Sequence, residues 1–340
     1  MVVDLRSDTV TRPTPPMLEA MMKAEVGDDV FGEDPTVRRL EETAAHLLGM
    51  DAAVFCPSGT MTNQIGIQVL TSPYDEVICY KGAHIYKYEG GGLAGNSQVS
   101  VRLLPGDRGR LSVEEVLSNI NSSDIHYPTT SVVALENTVV REAGSYYTLK
   151  QIKAIHDAVR PRGLRMHLDG ARLFNALTET NDASRDVGKY FDTISVCLSK
   201  GLGAPVGSVL ACKKEWEPRV RRVRKVFGGG MRQAGYLAAA GLFALENNIG
   251  RLRDDHRRAK QLGEVLKKCT YVKSMMPVDT NILIFELIGE VTPEKFLARL
   301  AEHQIKALPF GATEIRMVLH LDINDAGVQY TSDVLKSLTF

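Results

Sequence analysis

An alternation of short apolar segments with amphipathic segments restricts the fold of this chain more than any other feature. β-Branched apolar segments of strand length occur at residues 52–55, 76–80, 131–136, 164–168, 193–198 and 206–211. Between them, apolar residues recur at helical spacing, as in the segment opened by Asp34-Pro35 and closed by Gly49, and in residues 149–159 before Pro161. This order predicts an α/β fold with a mostly parallel sheet that helices cover on both faces.

The pattern changes after residue 231. An alanine-rich helical segment at 234–247 precedes a charged helix at 251–268. Strand-like residues 282–287 and 315–321 and helical residues 293–303 and 325–337 then follow. We therefore expect a large domain over residues 1–248 and a small C-terminal α+β domain over residues 249–340.

Composition excludes several classes of function. Lys plus Arg and Asp plus Glu both number 41, so no charge excess favours a nucleic-acid or membrane partner. The five cysteines are scattered without a CxxC pair, which argues against disulfides and a zinc site, and we expect no metal. The first residues hold an acid at position 4 and no apolar run, so we expect no secretory signal and a cytoplasmic protein.

Ser199-Lys200 follow a strand of buried type and precede Gly201 and Gly203. A lysine at the carboxyl end of a buried strand requires something that compensates its charge. A Schiff base to an aldehyde cofactor is one such arrangement. A surface lysine held in a glycine turn is the alternative, and this short motif by itself does not decide between them.

Asp169 and Arg172 lie at the end of another apolar strand, in HLDGARLFNA. A carboxylate there could bind the pyridine nitrogen of pyridoxal phosphate and keep it protonated. It could equally cap the next helix, and the two roles are compatible. Arg172, three residues on, could bind a carboxylate in bidentate fashion.

Ser58, Gly59 and Thr60 connect a strand to a helix in PSGTMTNQIGI. Free N–H groups and hydroxyls at a helix start form an anion cup that suits a phosphate, although a capped helix without ligand has the same sequence. The segment has neither GxGxxG nor a Walker lysine, which argues against a nucleotide site.

Two histidines are candidates on different grounds. His84 follows the strand EVICY and so lies at the carboxyl edge of the sheet, where ligands collect and where an imidazole could stack on a planar cofactor and exchange a proton. A structural role is its alternative. His126 precedes a strand, so sheet topology predicts a remote, structural residue.

Two arginines could bind anions. In RRVRKVFGGGMRQAGY we interpret the basic run as a solvated helix, and the glycine loop after it places Arg232 near an anion. Arg316 lies in a predicted strand of the small domain, where it could bind a substrate carboxylate in the interdomain cleft or form a surface salt bridge.

Taken together, these segments resemble the low-specificity L-threonine aldolases, a family of fold-type I pyridoxal-phosphate enzymes. The motifs LRSDTVT, PSGTM, HLDGARLFNA, CLSKGLGAPVGS and GGGMRQAG occur in the family's order, and the similarity covers almost the whole chain. The resemblance implies a seven-stranded type of sheet and retro-aldol cleavage of threonine or a related β-hydroxy-α-amino acid to glycine and an aldehyde. A fold-type I β-eliminating lyase and a non-catalytic protein with the same fold are the alternatives.

The resemblance also implies residue roles. Lys200 would bind the cofactor aldehyde, Asp169 its pyridine nitrogen, and His84 would stack on its ring. The full cofactor-binding set would be Ser58, Gly59, Thr60, His84, Asp169, Arg172, Ser199, Lys200 and Arg232.

Further implied roles concern the substrate and the assembly. Ser7, Arg172 and Arg316 would bind the substrate carboxylate, and His126, against its topological prediction, would lie near the substrate hydroxyl. Lys200, His84 and His126 would be the catalytic residues. Arg232 would enter the site of a neighbouring subunit in a homodimer or homotetramer.

This chain departs from the family around one loop. Thr129-Thr130 stand where the family usually has Arg-Thr, and the ENTH segment ends here in Val139, followed by the different loop VREAGSYY. Because this loop could border the β-substituent of the substrate, its divergence bears on the aldehyde preference.

Overall fold

The structure is a computed structural model that describes residues 1–340. Thirteen strands form its sheets. They are β1 (Val3–Asp4), β2 (Ala52–Cys56), β3 (Glu76–Tyr80), β4 (Ser100–Leu104), β5 (Thr130–Glu136), β6 (Arg165–Asp169), β7 (Thr193–Cys197), β8 (Ser208–Cys212), β9 (Val272–Met275), β10 (Ile282–Leu287), β11 (Ile305–Lys306), β12 (Leu308–Pro309) and β13 (Glu314–Val318).

Fourteen α-helices pack on these sheets. They are α1 (Pro15–Met22), α2 (Pro35–Leu48), α3 (Gly59–Leu70), α4 (His84–Lys87), α5 (Gly92–Gly95), α6 (Val113–Ser118), α7 (Leu149–Val159), α8 (Leu173–Thr180), α9 (Ser184–Val187), α10 (Glu217–Val226), α11 (Gly235–Asn247), α12 (Leu252–Leu266), α13 (Pro293–Glu302) and α14 (Asp325–Ser337).

The large sheet has the strand order β2-β8-β7-β6-β5-β3-β4, and β8 alone runs antiparallel to its neighbours. Every residue of β2, β3, β7 and β8 is buried. Because successive side chains of a strand point to opposite faces, both faces of the sheet are covered. The predicted mostly parallel seven-stranded α/β sheet is therefore confirmed.

Local signals placed most of these elements correctly. Asp34 caps α2 by accepting hydrogen bonds from the N–H groups of Thr36 and Val37, and Gly49 ends the helix at φ 65°. The strand predicted from residue 206 begins only at Ser208, because Gly207 has φ +111° and packs on Phe55. Strand β4 was missed, since it lies at the sheet edge and its side chains are largely exposed.

The C-terminal part forms a four-stranded antiparallel sheet of order β12-β13-β10-β9 with its own apolar core. The strand predicted to end at 321 ends at Val318. Val3 and Leu5 belong to this core, because β1 pairs in parallel with β11. We therefore propose a division near Asn248 in which the N-terminal strand packs with the small domain. None of the helices is both long and apolar enough to cross a membrane.

Candidate active site

Four chain segments leave the same edge of the large sheet. Strands β2, β3, β6 and β7 run in one direction, so their carboxyl ends lie side by side. Ser58 follows β2, His84 follows β3, Asp169 ends β6, and Lys200 follows β7. The sheet topology thus brings together the residues for which the sequence predicted cofactor chemistry.

Lys200 occupies a glycine turn at this edge. Its carbonyl accepts a hydrogen bond of 2.8 Å from the Gly203 N–H, and Gly203 adopts φ +81°. The positive charge of Lys200 acts on both Asp8 and His84. Asp8 pairs with Arg172, however, and Glu89 pairs with His84. The Lys200 amine therefore has no salt bridge. A half-buried amine without a carboxylate partner is available for covalent chemistry.

Asp169 is buried at the end of β6. Its Oδ1 accepts a hydrogen bond of 3.1 Å from the N–H of Ala171, and its Oδ2 accepts one of 3.0 Å from Asn63 Nδ2. The carboxylate therefore stabilises the turn after the strand and also faces the cluster around His84. The prediction that it caps the next helix was wrong, because α8 begins at Leu173 with Arg172 as its N-cap and has no side-chain cap.

The turn from β2 into α3 brings a helix N-terminus close to the lysine strand. Ser58 caps the helix, its Oγ accepting from the Met61 N–H at 3.2 Å. A Cβ on Gly59 would lie 2.6 Å from Cys197 Sγ, so only glycine allows this approach. The first N–H groups of α3, including that of exposed Thr60, form an anion cup.

His84 begins the short helix α4, and its ring lies beside Glu89. Nδ1 is 3.0 Å from Glu89 Oε1, while the exposed fraction of the His84 side chain is 32%. Burial opposes a charged imidazole, but the hydrogen bond to Glu89 and the charge of Asp169 outweigh it and raise the pKa of His84. The Nε2 atom remains free for a ligand.

Glu136, at the end of β5, holds the start of α4. Its Oε2 accepts from the His84 N–H at 2.9 Å and its Oε1 from the Val140 N–H at 2.8 Å. Burial, together with the nearby charge of Asp169, raises the pKa of Glu136 to about 7. The loop after β5 is thereby tied to the histidine, as expected for a loop that borders the site.

Arg172 binds a carboxylate in bidentate fashion, but that carboxylate belongs to Asp8. Arg172 Nε and an η-nitrogen each lie 2.7 Å from Asp8 oxygens, and both side chains are almost fully buried. Although burial disfavours its charge, Asp8 has its pKa held at about 2 by the charge and hydrogen bonds of Arg172. The sequence predicted that Arg172 binds the substrate carboxylate and did not indicate that Asp8 is its partner inside the protein.

Arg316 reaches the same place from strand β13 and has no carboxylate partner. One of its η-nitrogens donates to the Arg6 carbonyl at 3.3 Å, its Nε is buried without a hydrogen bond, and Phe310 lies 5.5 Å from the guanidinium. Burial and the charge of Arg172 lower its pKa. The surface salt bridge considered for Arg316 does not form, and a half-buried guanidinium without a carboxylate partner is suited to an anion.

Two predicted residues lie outside this cluster in the single chain. His126 precedes β5 at the opposite edge of the sheet, about 20 Å away along the strand, and its 81% exposed side chain pairs with Asp124 at 2.7 Å. Arg232 is exposed and pairs with Asp28 at 2.9 Å. Their predicted roles require a second subunit and remain predictions.

Three site residues escaped the sequence prediction although they lie close to predicted ones. Asp8 follows Ser7, Asn63 lies in the second turn of α3, and Glu89 precedes Gly90–Gly92. For Asp8 and Glu89, an acid close to a predicted site residue was the available signal. The arginine that binds Asp8 and the amide of Asn63 that binds Glu89, however, lie 164 and 26 residues away, and no local pattern indicates them.

The functional groups of pyridoxal phosphate each find a matching group at this edge of the sheet. The cup at Gly59 suits the phosphate, the unpaired Lys200 amine the aldehyde, and the buried Asp169 carboxylate the pyridine nitrogen. The residues therefore fit this group. A mostly parallel sheet with these groups at its carboxyl edge defines the fold-type I class of pyridoxal-phosphate enzymes.

Comparisons with known proteins agree with this class. A threonine aldolase structure from Leishmania major superimposes with a TM-score of 0.84, covering 98% of both chains at 22% identity, which shows the fold. Low-specificity L-threonine aldolase 1 of Arabidopsis thaliana is 40% identical over 97% of this chain and 94% of its own length. The Escherichia coli K12 low-specificity L-threonine aldolase is also 40% identical, over 95% of each chain.

The family model for β-eliminating lyases matches residues 4–289. This chain belongs to that family, within its group of low-specificity L-threonine aldolases.

Proposed function

We propose that this protein is a pyridoxal-phosphate-dependent aldehyde-lyase that cleaves L-threonine, L-allo-threonine or a related β-hydroxy-α-amino acid to glycine and an aldehyde. The observation that carries the proposal is the convergence of Lys200, Asp169 and His84 at one sheet edge beside the unpaired Arg316. The 40% identity to threonine aldolases over nearly the whole chain supports the same reaction.

Residues of one chain would make most of the contacts to the cofactor, and Arg232 of a neighbouring subunit would complete the set. Lys200 would bind its aldehyde and Asp169 its pyridine nitrogen. Ser58, Gly59, Thr60 and Ser199 would surround the phosphate, and His84 would face the ring. When bound, pyridoxal phosphate supplies the electron sink that makes cleavage at Cα possible.

The substrate carboxylate would bind between the two domains. Arg316 offers a buried Nε without a hydrogen-bond partner. It contacts the carbonyl of Arg6, and Ser7 is the next residue in that segment. Asp8 neutralises Arg172, so the site has one uncompensated guanidinium rather than two. That single uncompensated guanidinium can bind one carboxylate and orient the amino acid.

His84 is suited to accept the proton of the β-hydroxyl group. Glu89 binds Nδ1, which leaves the lone pair of Nε2 free and stabilises the ring once it is protonated. The raised pKa of His84 makes it a stronger base. His126 is the second candidate for this step and would have to come from another subunit.

A homodimer or homotetramer with shared sites would explain the two distant residues. Complementation tests this: equal amounts of Lys200→Ala and Arg232→Ala chains are mixed, unfolded and refolded together. If Arg232 acts in the neighbouring site, half of the dimers have one intact site, and about a quarter of the unsubstituted activity returns. If the co-refolded mixture regains no activity, shared sites are contradicted.

The reaction itself is tested with both threonine diastereomers and phenylserine, by measuring glycine and aldehyde. We expect equimolar glycine and aldehyde, and a loss of several orders of magnitude in turnover for Lys200→Ala. Release of pyruvate from cysteine or an aromatic amino acid would instead indicate a β-eliminating enzyme. A Lys200→Ala protein with normal turnover and an unchanged cofactor absorbance would refute the proposal.

A further inference from the structure

We propose that Asn63, Glu89 and His167 form a positioning network that holds the cofactor-binding Asp169 and the proton-accepting His84 in a fixed mutual arrangement. This inference rests on the proposed function. Its residues contact Asp169 and His84 directly or through one another and would act through those two side chains.

Asn63 lies at the centre of the network. Its Nδ2 donates one hydrogen bond of 2.8 Å to Glu89 Oε1 and another of 3.0 Å to Asp169 Oδ2. A single amide NH₂ group has two hydrogens, and each is used on a different carboxylate. A ring nitrogen of His84 and one carboxylate oxygen each of Glu89 and Asp169 consequently lie within 4.8 Å of one another. Two carboxylates this close repel each other unless a donor lies between them, and Asn63 is that donor.

His167 determines which way the Asn63 amide faces. It is completely buried, and its Nε2 lies 3.1 Å from Asn63 Oδ1 while its Nδ1 lies 2.9 Å from the Thr193 hydroxyl. Burial lowers the pKa of His167 to about 4, so the ring is neutral and carries one proton. With that proton on Nε2, the ring donates to the Asn63 oxygen. The amide nitrogen must then face the carboxylates.

Glu89 connects the amide to His84. Besides Asn63, its carboxylate accepts 2.7 Å from Gln64 Nε2 and lies 3.0 Å from His84 Nδ1. Two glycines provide space for this arrangement. A Cβ on Gly66 would lie 2.7 Å from His167 Cε1, and one on Gly92 would lie 2.2 Å from Gln64 Oε1.

Several charged groups act on His84 from the surrounding elements. The groups that set its protonation are Glu89, Asp169, Lys200 and, through the backbone of α4, Glu136. Of these, Asn63 contacts Glu89 and Asp169, whereas Gln64 contacts Glu89 alone. This difference gives a matched pair of variants on adjacent residues of one helix.

The experiment compares Asn63→Ala with Gln64→Ala. Two quantities are measured without substrate: the dissociation constant of pyridoxal phosphate, and the pKa of His84 in the cofactor-free protein by NMR of its ring. Asn63→Ala should raise the dissociation constant about tenfold, since a hydrogen bond to a charged group is lost at Asp169. Gln64→Ala should leave it within about twofold. Both should raise the pKa of His84, because Glu89 loses a donor and becomes a stronger partner.

Equal cofactor affinity in the two variants, or an unchanged pKa of His84 in both, would overturn the inference. Asn63→Asp keeps the shape of the side chain but removes both donors and adds a charge. It should weaken cofactor binding more than tenfold. If Asn63→Ala does not fold, this variant tests the positioning network in its place. Retention of full cofactor affinity by Asn63→Asp would count against the network.

The two proposals fail in different ways. If the unsubstituted protein binds pyridoxal phosphate but forms no glycine from threonine, the proposed reaction is wrong while the affinity comparison still tests the network. If it cleaves threonine and Asn63→Ala binds the cofactor normally, the network alone is wrong.

Discussion

Replacement of Asp8 by asparagine removes the carboxylate that Arg172 binds in the interior. The pKa of Asp8 is about 2 in the folded protein against 3.8 for the free side chain, a difference that corresponds to about 2 kcal/mol of stability. Removing one partner of a buried ion pair typically costs about 3–5 kcal/mol, because the other charge is left uncompensated. Lys200 and Arg316 face the same space, so these two cations would also lose a nearby negative charge. We expect a loss of about 2–5 kcal/mol.

Thermal unfolding of the cofactor-free protein measures this loss. At an unfolding entropy of about 2 cal/mol/K per residue, a chain of 340 residues loses about 3–7 °C in Tm at neutral pH. The folded-state pKa of Asp8 lies below its unfolded value. Its contribution is therefore complete above about pH 4 and is lost as the pH falls through about 2. The difference between the two proteins should narrow in that acid range.

A double variant provides the control. Asp8→Asn with Arg172→Gln removes both charges, so it should be more stable than the sum of the single losses predicts. A Tm for Asp8→Asn within about 1 °C of the unsubstituted protein, or strict additivity in the double variant, would refute the reasoning.

Three further predictions concern single contacts. Gly59→Ala places a Cβ 2.6 Å from Cys197 Sγ, so pyridoxal-phosphate affinity, measured by titration, should fall at least tenfold, and Ser58→Ala, which removes one hydroxyl but introduces no clash, should weaken it less. Arg316→Lys should raise the KM for threonine about tenfold or more with a smaller effect on kcat, because the carboxylate loses its bidentate partner; an unchanged KM would exclude Arg316 from the carboxylate site. Asp34→Ala should lower the unfolding free energy by about 2–4 kcal/mol in denaturant titrations, since Asp34 accepts hydrogen bonds from four backbone N–H groups, and a loss below about 1 kcal/mol would mean that water replaces them.

The sequence predicted the large sheet and the residues at its carboxyl edge because both depend on local pattern. Fully buried strands such as β7 are short continuous apolar runs, and the residue after such a strand must lie at the sheet edge. Lys200, Asp169 and His84 were found in this way. The edge strand β4 was missed because its half-exposed pattern has no strong local signal.

What only the tertiary structure decided is the partner of each charged group. Arg172 is paired with Asp8 from 164 residues away, whereas Arg316, a residue of the same type, is left unpaired at the same site. The sequence does not distinguish the two arginines, because the residues next to each in the chain do not show which distant side chain packs against it. The sequence by itself determined which residues reach the catalytic edge. Packing decided which of their charges remain free to bind a ligand, because compensation of a charge depends on contacts between segments that are far apart in the chain.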